Sequence, residues 1–297
     1  MKVLFVHHRF NSTFIKNDLE ILKKHYEVID FYFTVKKIPQ LIKAIKNTDI
    51  IYVWFISYPA YLIGLINRFY RKPIVLVAGG YGVQSELLKK HKIFKLMVKS
   101  ATKRAYKILA VSKFTGNEVL KLEPKGYAYK YKTEIVYNGI DLTKFSDHGI
   151  RDNNKSVIIT VGIINTWKRY FIKGIDKFIG YAKETPNANF YVIGMTEKMG
   201  EKIYKKLKDL PMNLYFYLPV TQQELVYFYN VADVYCQFSR YESFCLALLE
   251  AKVCGCTCFL PTGTGMDEIM DAKNPKKEFS LAHRERRLVG ILDGYRN

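Results

Sequence analysis

The chain has 297 residues, 49% of them hydrophobic and 25% charged, which is apolar enough to bury a sizeable core and excludes a disordered polymer. Its 47 Lys and Arg against 27 Asp and Glu leave a net charge of +20, of which +15 lies in residues 1–150, so an anionic partner is expected and the first half carries the field. Met1-Lys-Val-Leu-Phe-Val6 is too short an apolar run for a secretory signal, and the five cysteines, all between Cys236 and Cys258, are too few for a disulfide framework. A cytoplasmic protein with reduced thiols is the expectation.

Apolar runs at Val3–His7, Glu27–Phe33, Asp49–Ser57, Pro73–Ala78, Lys107–Ser112 and Glu134–Tyr137 alternate with segments of helical period, Phe14–His25 and Ser85–Tyr106 among them. Continuous Val and Ile runs suit strands buried on both faces, so a parallel sheet covered by helices is predicted. Ile50–Asn67 is uncharged for 18 residues, but Pro59 and Gly64 divide it into a buried strand and a helix rather than a membrane span. A polar stretch, Ser146–Lys155, reads as a linker. The rhythm then restarts: strand Val157–Gly162, helix Lys173–Glu184, strand Asn189–Gly194, helix Glu197–Lys208. Thr221-Gln-Gln-Glu224 is a capping box opening a helix to about Val231. Strand Val234–Ser239, helix Ser243–Cys254 and strand Cys256–Pro261 close the series. The fold predicted is α/β, with two Rossmann-like βα domains facing a central cleft, the position at which open parallel sheets take ligands.

Several chemistries are disfavoured. No Gly-x-Gly-x-x-Gly follows the first strand, no Gly-Lys-Ser/Thr loop occurs, and no Asp-x-Asp pair is present to hold a diphosphate-bound ion. Cys254, Cys256 and Cys258 would share one face of a strand without the two-residue gap of a zinc turn, so they read as core and no metal is expected. Gly79-Gly80 and Gly263-Thr-Gly265 read as turn punctuation. The informative stretch runs from Ser239 to Ala251. A strand ending at Ser239 and a helix starting near Ser243 would aim the Ser243 and Phe244 amides at an anion, with Glu242 in the turn and Glu250 two helical turns on. After the strand ending at Gly162, Lys168, Arg169 and Lys173 can reach a diphosphate and neutralise a leaving group. Solvated carboxylates and solvated loop cations are the plain alternatives.

These residues resemble the retaining GT-B glycosyltransferases of family 4 (group 1). The match is carried in order by Phe14–Leu22, Gly79-Gly-Tyr81, Ile108–Ser112, Tyr137-Asn-Gly-Ile-Asp141 with Phe145, Lys173-Gly174, Tyr191-Val-Ile-Gly194, Ala232-Asp233, Ser239–Phe244, Glu250-Ala and Gly255. The resemblance implies a 1–150 acceptor-side domain containing Gly79, Gly80 and Tyr81, a 151–278 nucleotide-sugar domain, and a 279–297 helix returning to the first. It implies that Glu250 holds the donor ribose, that Glu242 touches the sugar, and that the amides after Glu242, with Gly162 and Lys168 nearby, take the diphosphate. Lys173, helped by Arg169, would stabilise the leaving group without a metal or other cofactor. Many members carry Arg directly after the glycine that ends the first strand of the second domain; Ile163 stands here instead, and Arg169 or Lys168 substitutes.

A UDP- or GDP-sugar donor and a glycan or lipid-linked acceptor follow from the resemblance. On a helix over Ser85–Ile108, Lys92, Lys95, Lys99, Lys103 and Lys107 share one face, suited to peripheral contact with an anionic membrane. Nucleic acid is disfavoured, since Lys outnumbers Arg 36 to 11 and no recognition module occurs. The rival reading is a catalytically inactive GT-B scaffold that binds polyanions.

Overall fold

The computed structural model describes residues 1–8, 12–80, 82–122, 127–151 and 155–295. Its strands are β1 (Lys2–His7), β2 (Glu27–Tyr32), β3 (Ile50–Trp54), β4 (Ile74–Ala78), β5 (Lys107–Ala110), β6 (Thr133–Ile135), β7 (Val157–Ile164), β8 (Asn189–Met195), β9 (Leu214–Tyr217), β10 (Val234–Cys236) and β11 (Thr257–Phe259). The helices are α1 (Thr13–His25), α2 (Ile38–Lys46), α3 (Tyr58–Ile66), α4 (Ser85–Lys90), α5 (Lys92–Arg104), α6 (Lys113–Leu120), α7 (Tyr127–Lys132), α8 (Trp167–Ile172), α9 (Ile175–Glu184), α10 (Glu197–Lys206), α11 (Gln222–Val231), α12 (Leu246–Val253), α13 (Asp267–Asp271), α14 (Pro275–Glu278) and α15 (Leu281–Asp293). The chain forms two compact units: residues 1–139 with 281–297, and residues 140–280.

The first unit is a parallel sheet in the order β2-β1-β3-β4-β5-β6. Every residue of β3 and β4 is buried, as an apolar run covered by helices on both faces must be. The uncharged stretch after Asp49 divides into β3 and α3, and among the described residues no helix is long and apolar enough to cross a membrane.

The chain's last helix is tied into this unit by a buried charge pair. Arg284 Nε and Nη2 donate to the two Asp18 oxygens at 2.5 and 2.8 Å, and Nη1 donates to the carbonyls of Val136 and Tyr137 at 2.8 and 2.7 Å. Tyr52 and Trp54 add donations to Asp18 Oδ2 at 2.7 and 2.9 Å. Burial opposes the guanidinium charge, but Asp18 outweighs it and holds the Arg284 pKa above its ordinary value. Both charges are satisfied, which is what makes a buried pair tolerable.

The second unit is a five-stranded parallel sheet, β11-β10-β7-β8-β9. Its first residues lie earlier than residue 151. The Ser146–Lys155 stretch, expected as a linker, packs on this unit as far as Arg151: His148 N donates to Asn230 Oδ1 at 2.6 Å, Arg151 Nε to the Ala232 carbonyl at 3.0 Å, and Arg151 Nη2 to the Cys254 carbonyl at 2.5 Å. At the far end Phe279 stays with the second unit, its ring 5.3 Å from Phe244, and α15 from Leu281 belongs to the first.

Two further expectations change. The helix expected over Ser85–Tyr106 is broken at His91, whose backbone leaves the helical region (φ −126°, ψ 81°). Lys107 lies on β5, where it pairs with Glu134 at 2.6 Å, so it does not join Lys92, Lys95, Lys99 and Lys103 on α5. Cys254 caps α12, and β11 begins only at Thr257, so the three closely spaced cysteines do not share a strand face. Burial pushes the Cys254 and Cys256 thiols up to about 12 and Cys258 to about 11, leaving them protonated at neutral pH.

Replacing Arg284 by Met leaves the Asp18 carboxylate buried beside Tyr52 without its counter-charge, and should destabilise the first unit by about 3–5 kcal/mol in urea unfolding. The double variant Asp18→Leu, Arg284→Met should recover most of that loss.

Candidate donor site in the second unit

In the second sheet β8 and β9 lie on one side of β7 and β10 and β11 on the other, so the chain's direction of travel reverses between β7 and β10. In open parallel sheets such a reversal is where the loops leaving the strands part and ligands bind at the strand ends. Lys173 follows β7 and Glu242 follows β10, and the two meet: Lys173 Nζ donates to Glu242 Oε1 at 2.5 Å.

The backbone forces this meeting. Where a loop is expected after Gly162, the chain forms α8, capped by Thr166, whose hydroxyl accepts from Arg169 N at 3.2 Å. Lys173 ends α8, and Gly174 turns the chain into α9 at φ +67°. A Cβ on Gly174 would lie 2.1 Å from the Phe238 carbonyl oxygen, so only glycine lets the α8–α9 turn press against the segment leaving β10. Arg240 clamps the same turn. Its N–H donates to the Ile172 carbonyl at 2.9 Å, its guanidinium donates to the Phe171 carbonyl, and its Nη2 meets Asp176 Oδ2 at 2.7 Å. The Lys173 stem runs beside Gly162, where a Cβ would meet Lys173 Cε at 3.4 Å.

A buried polar chain supports Glu242 from below. The Tyr235 hydroxyl donates to Gln237 Oε1, Gln237 Nε2 to Ser239 Oγ at 2.5 Å, and Ser239 Oγ to Glu242 Oε1 at 3.0 Å. Burial works against the Lys173 charge, but the Glu242 carboxylate outweighs it and holds the ammonium above its ordinary pKa; Arg169 is close enough to oppose this. Lys168 and Arg169 themselves are exposed on α8.

Glu250 lies on the buried face of α12 and accepts from the Tyr229 hydroxyl of α11 at 3.0 Å. Tyr235 lies beside Tyr229, the two rings 6.2 Å apart, and its hydroxyl is pushed up by burial and then by Cys245, Tyr229 and Glu242. α12 starts at Leu246 rather than Ser243, with Cys245 as its N-cap at φ +59°, so its first-turn amides belong to Leu246 and its successors and not to Ser243 and Phe244. The Gly263-Thr-Gly265 turn, which reads as punctuation, is part of this site: Gly265 N donates to the Glu242 carbonyl at 3.1 Å, and a Cβ there would lie 1.9 Å from the Ser243 carbonyl oxygen. Gly79 and Gly80 follow β4 in the first unit, Gly80 at φ +106°; Tyr81 lies outside the described residues. Among the described residues no group of three or more His, Cys, Asp or Glu is placed to hold a metal ion.

Two family profiles match the chain almost end to end, "Glycosyltransferase Family 4" over residues 14–144 and "Glycosyl transferases group 1" over residues 143–277. The chain belongs to the family 4, group 1 glycosyltransferases. Solved structures share the fold of this glycosyltransferase over 99% of its length. Anabaena HepE in complex with UDP-glucose is 12% identical (TM-score 0.74, 100% of that chain), and sucrose-phosphate synthase from Thermosynechococcus elongatus is 13% identical (0.74, 98%). The lipopolysaccharide outer core galactosyltransferase WaaB, in its apo form, is 12% identical (0.69, 100%). At these identities the likeness is one of fold, the GT-B fold. Among curated proteins none matches the chain.

Burial raises the Glu250 carboxyl of this glycosyltransferase from 4.5 to about 7, the Tyr229 hydrogen bond pulling it partly back. Between those values the folded state holds a proton that the unfolded chain has released, so the contribution of Glu250 to stability falls as pH rises from 4.5 to about 7 and stays low above. Glu250→Gln should therefore raise stability by about 3 kcal/mol at about pH 8 and by almost nothing at about pH 4, measured by thermal or urea unfolding.

Proposed function

We propose that this glycosyltransferase moves a sugar from a nucleoside diphosphate donor to a glycan or lipid-linked acceptor, with retention at the anomeric carbon and without a metal ion. The observation that carries the reading is the Lys173–Glu242 pair at the switch point of the second sheet, with the buried carboxylate of Glu250 behind it. An ammonium held above its ordinary pKa is a fixed cation where a diphosphate departs, and a preset charge needs no reorganisation as negative charge develops. Arg169 adds a second cation beside it, with Lys168 next in sequence.

Glu250, once ionised, accepts from two ribose hydroxyls. Glu242 shares its carboxylate between Lys173 and the donor sugar, and the first amides of α12 receive the diphosphate. Among the fold neighbours, HepE was solved with UDP-glucose, which favours a UDP-sugar here over a GDP-sugar. An inactive scaffold would tolerate loss of Lys173, Glu242 or Glu250; all three are present, and two are paired.

On the acceptor side we assign contact with an anionic membrane to α4 and α5 of the first unit. Ile93 and Leu96 are 77% and 66% exposed on α5, next to Lys92 and Lys95, and a groove of 710 Å³ at the α4–α5 junction is lined by Leu87, Phe94 and Met97 together with Lys89 and Lys90. Exposed apolar tips among lysines suit an interfacial helix, each lysine near the surface contributing about 1 kcal/mol.

Three variants test the assignments. Lys173→Ala should lower kcat by about 10²- to 10³-fold with donor KM changed far less. Glu250→Ala should weaken donor binding by at least about tenfold in calorimetry with the fold intact, and an unchanged affinity would remove the ribose role. Lys92→Glu with Lys95→Glu should abolish sedimentation with anionic vesicles at low salt; equal binding to anionic and neutral vesicles by the unaltered chain would remove the membrane role.

A further inference from the structure

One face of the second unit is made of a different material from the rest of the molecule. From Leu210 to Ala232 the one charged residue is Glu224, and none of the chain's 47 lysines and arginines falls there. Even that carboxylate is occupied by its own capping box, accepting from Thr221 N at 2.7 Å and from the Thr221 hydroxyl at 2.8 Å. The segment contains β9, the edge strand of the second sheet, and α11.

The side chains exposed on it are large and apolar or aromatic. Met212 is 97% exposed, Tyr227 60%, Leu218 58% and Tyr215 43%. The rings form a continuous surface: Tyr191 on β8 stands 5.2 Å from Tyr215 and 5.5 Å from Tyr217, and Tyr217 stands 5.0 Å from Phe228 on α11. The Tyr191 hydroxyl is pushed up by burial and by the neighbouring Tyr217, Tyr215 and Tyr227.

From this surface we propose that the chain self-associates, a second copy seating the same face across a two-fold axis with β9 at its centre. The composition is that of an interface core, with Tyr, Phe and Met enriched and Lys, Glu and Asp absent but for Glu224. An edge strand leaves backbone donors and acceptors for a partner strand, and an uncovered apolar edge is a liability for a monomer. The charge selects a second copy as the occupant. Two molecules of +20 repel each other wherever lysines face lysines, and this face is where that repulsion is least. A polyanion or an anionic membrane, by contrast, finds no cation in the segment itself; Lys144 stands at its margin, beside Gln222, Gln223 and Val226. The exposed Met212 and Leu218 carry no hydrogen-bonding group for a saccharide, which favours a protein partner over a glycan.

The test is the mass of the full chain in solution by sedimentation equilibrium at low and at high salt. The proposal predicts a dimer whose dissociation constant falls as salt rises, since salt screens the repulsion and strengthens apolar burial, the opposite of polyanion binding. Tyr215→Lys with Tyr227→Lys should raise the dissociation constant by about a hundredfold or more while the circular dichroism of the folded chain stays unchanged, two aromatic anchors being lost and like charges introduced. Tyr131→Lys, at an exposed tyrosine of the first unit, should leave it unchanged. A monomer at every concentration and salt, or a dimer indifferent to the double substitution, overturns the proposal. A monomer that binds a neutral oligosaccharide and loses it on the same double substitution overturns it too, and gives the surface to a sugar.

Discussion

In a parallel sheet the chain must cross over a face to begin each new strand, and where successive crossovers turn from one side of the sheet to the other the loops at the strand ends part. The second unit depends on that constraint. β7 and β10 are neighbours that send their chains in opposite directions, and the residues that follow them, Lys173 and Glu242, close into a hydrogen-bonded ion pair at the gap. The surrounding sequence serves the pair. Gly174 lets the α8–α9 turn approach Phe238, Arg240 clasps that turn, the Tyr235–Gln237–Ser239 chain props the carboxylate, and Gly265 ties down the Glu242 carbonyl. These supports hold the pair from both loops, so its geometry is preset rather than found on binding.

The first unit has a constraint of another kind. Its chain is interrupted after Gly139 by the whole second unit and resumes at Leu281, so α15 must find its place over a separation of more than 140 residues. Specificity comes from Arg284. A guanidinium with two oxygens of Asp18 on one side and two backbone carbonyls on the other has one seat in the unit, and any other register would bury the charge unpaired. His25 and the largely buried Tyr26 at the α1 end meet Glu285 and Asp293 of α15 at 2.7 and 3.0 Å, contacts that refine the docking without determining it.

The sheets were legible in the sequence because their signal is local: uninterrupted Val and Ile runs at βα spacing admit few readings, and all the central strands stand where those runs do. The late elements of the site were less legible because tertiary contacts decide them. α8 exists because Thr166 caps a segment with no strong helical period, and α12 starts late because Cys245 is held at positive φ. The Gly263–Gly265 turn carries no mark of its role, since glycine is written the same way whether it turns a loop or makes room for a neighbouring carbonyl. Lys107 shows the limit of a helical wheel: periodicity placed it on a face, while the strand that begins at its own position took it off the helix. Lys173, Glu242 and Glu250 were singled out in the sequence by their place between a strand and the following helix, and the family resemblance gave them roles. That context left solvated charges as the plain alternative, and their burial and partners emerge only in three dimensions.

In the candidate donor site Glu250 is a carboxyl poised near neutrality by burial and held by one tyrosine. On the proposed reading, a donor ribose that takes two hydrogen bonds from the ionised form displaces the proton that burial favours, so that donor binding and deprotonation are coupled. The decisive measurement is calorimetric titration of UDP-glucose, whose diphosphate holds no proton that titrates near neutrality, at about pH 7 in two buffers of different ionisation enthalpy, which counts the protons exchanged. Release of about half a proton per UDP-glucose bound near pH 7, vanishing at higher pH and absent in Glu250→Gln, is the result this account predicts. Binding with no proton released at any pH, or release that persists in Glu250→Gln, would contradict it.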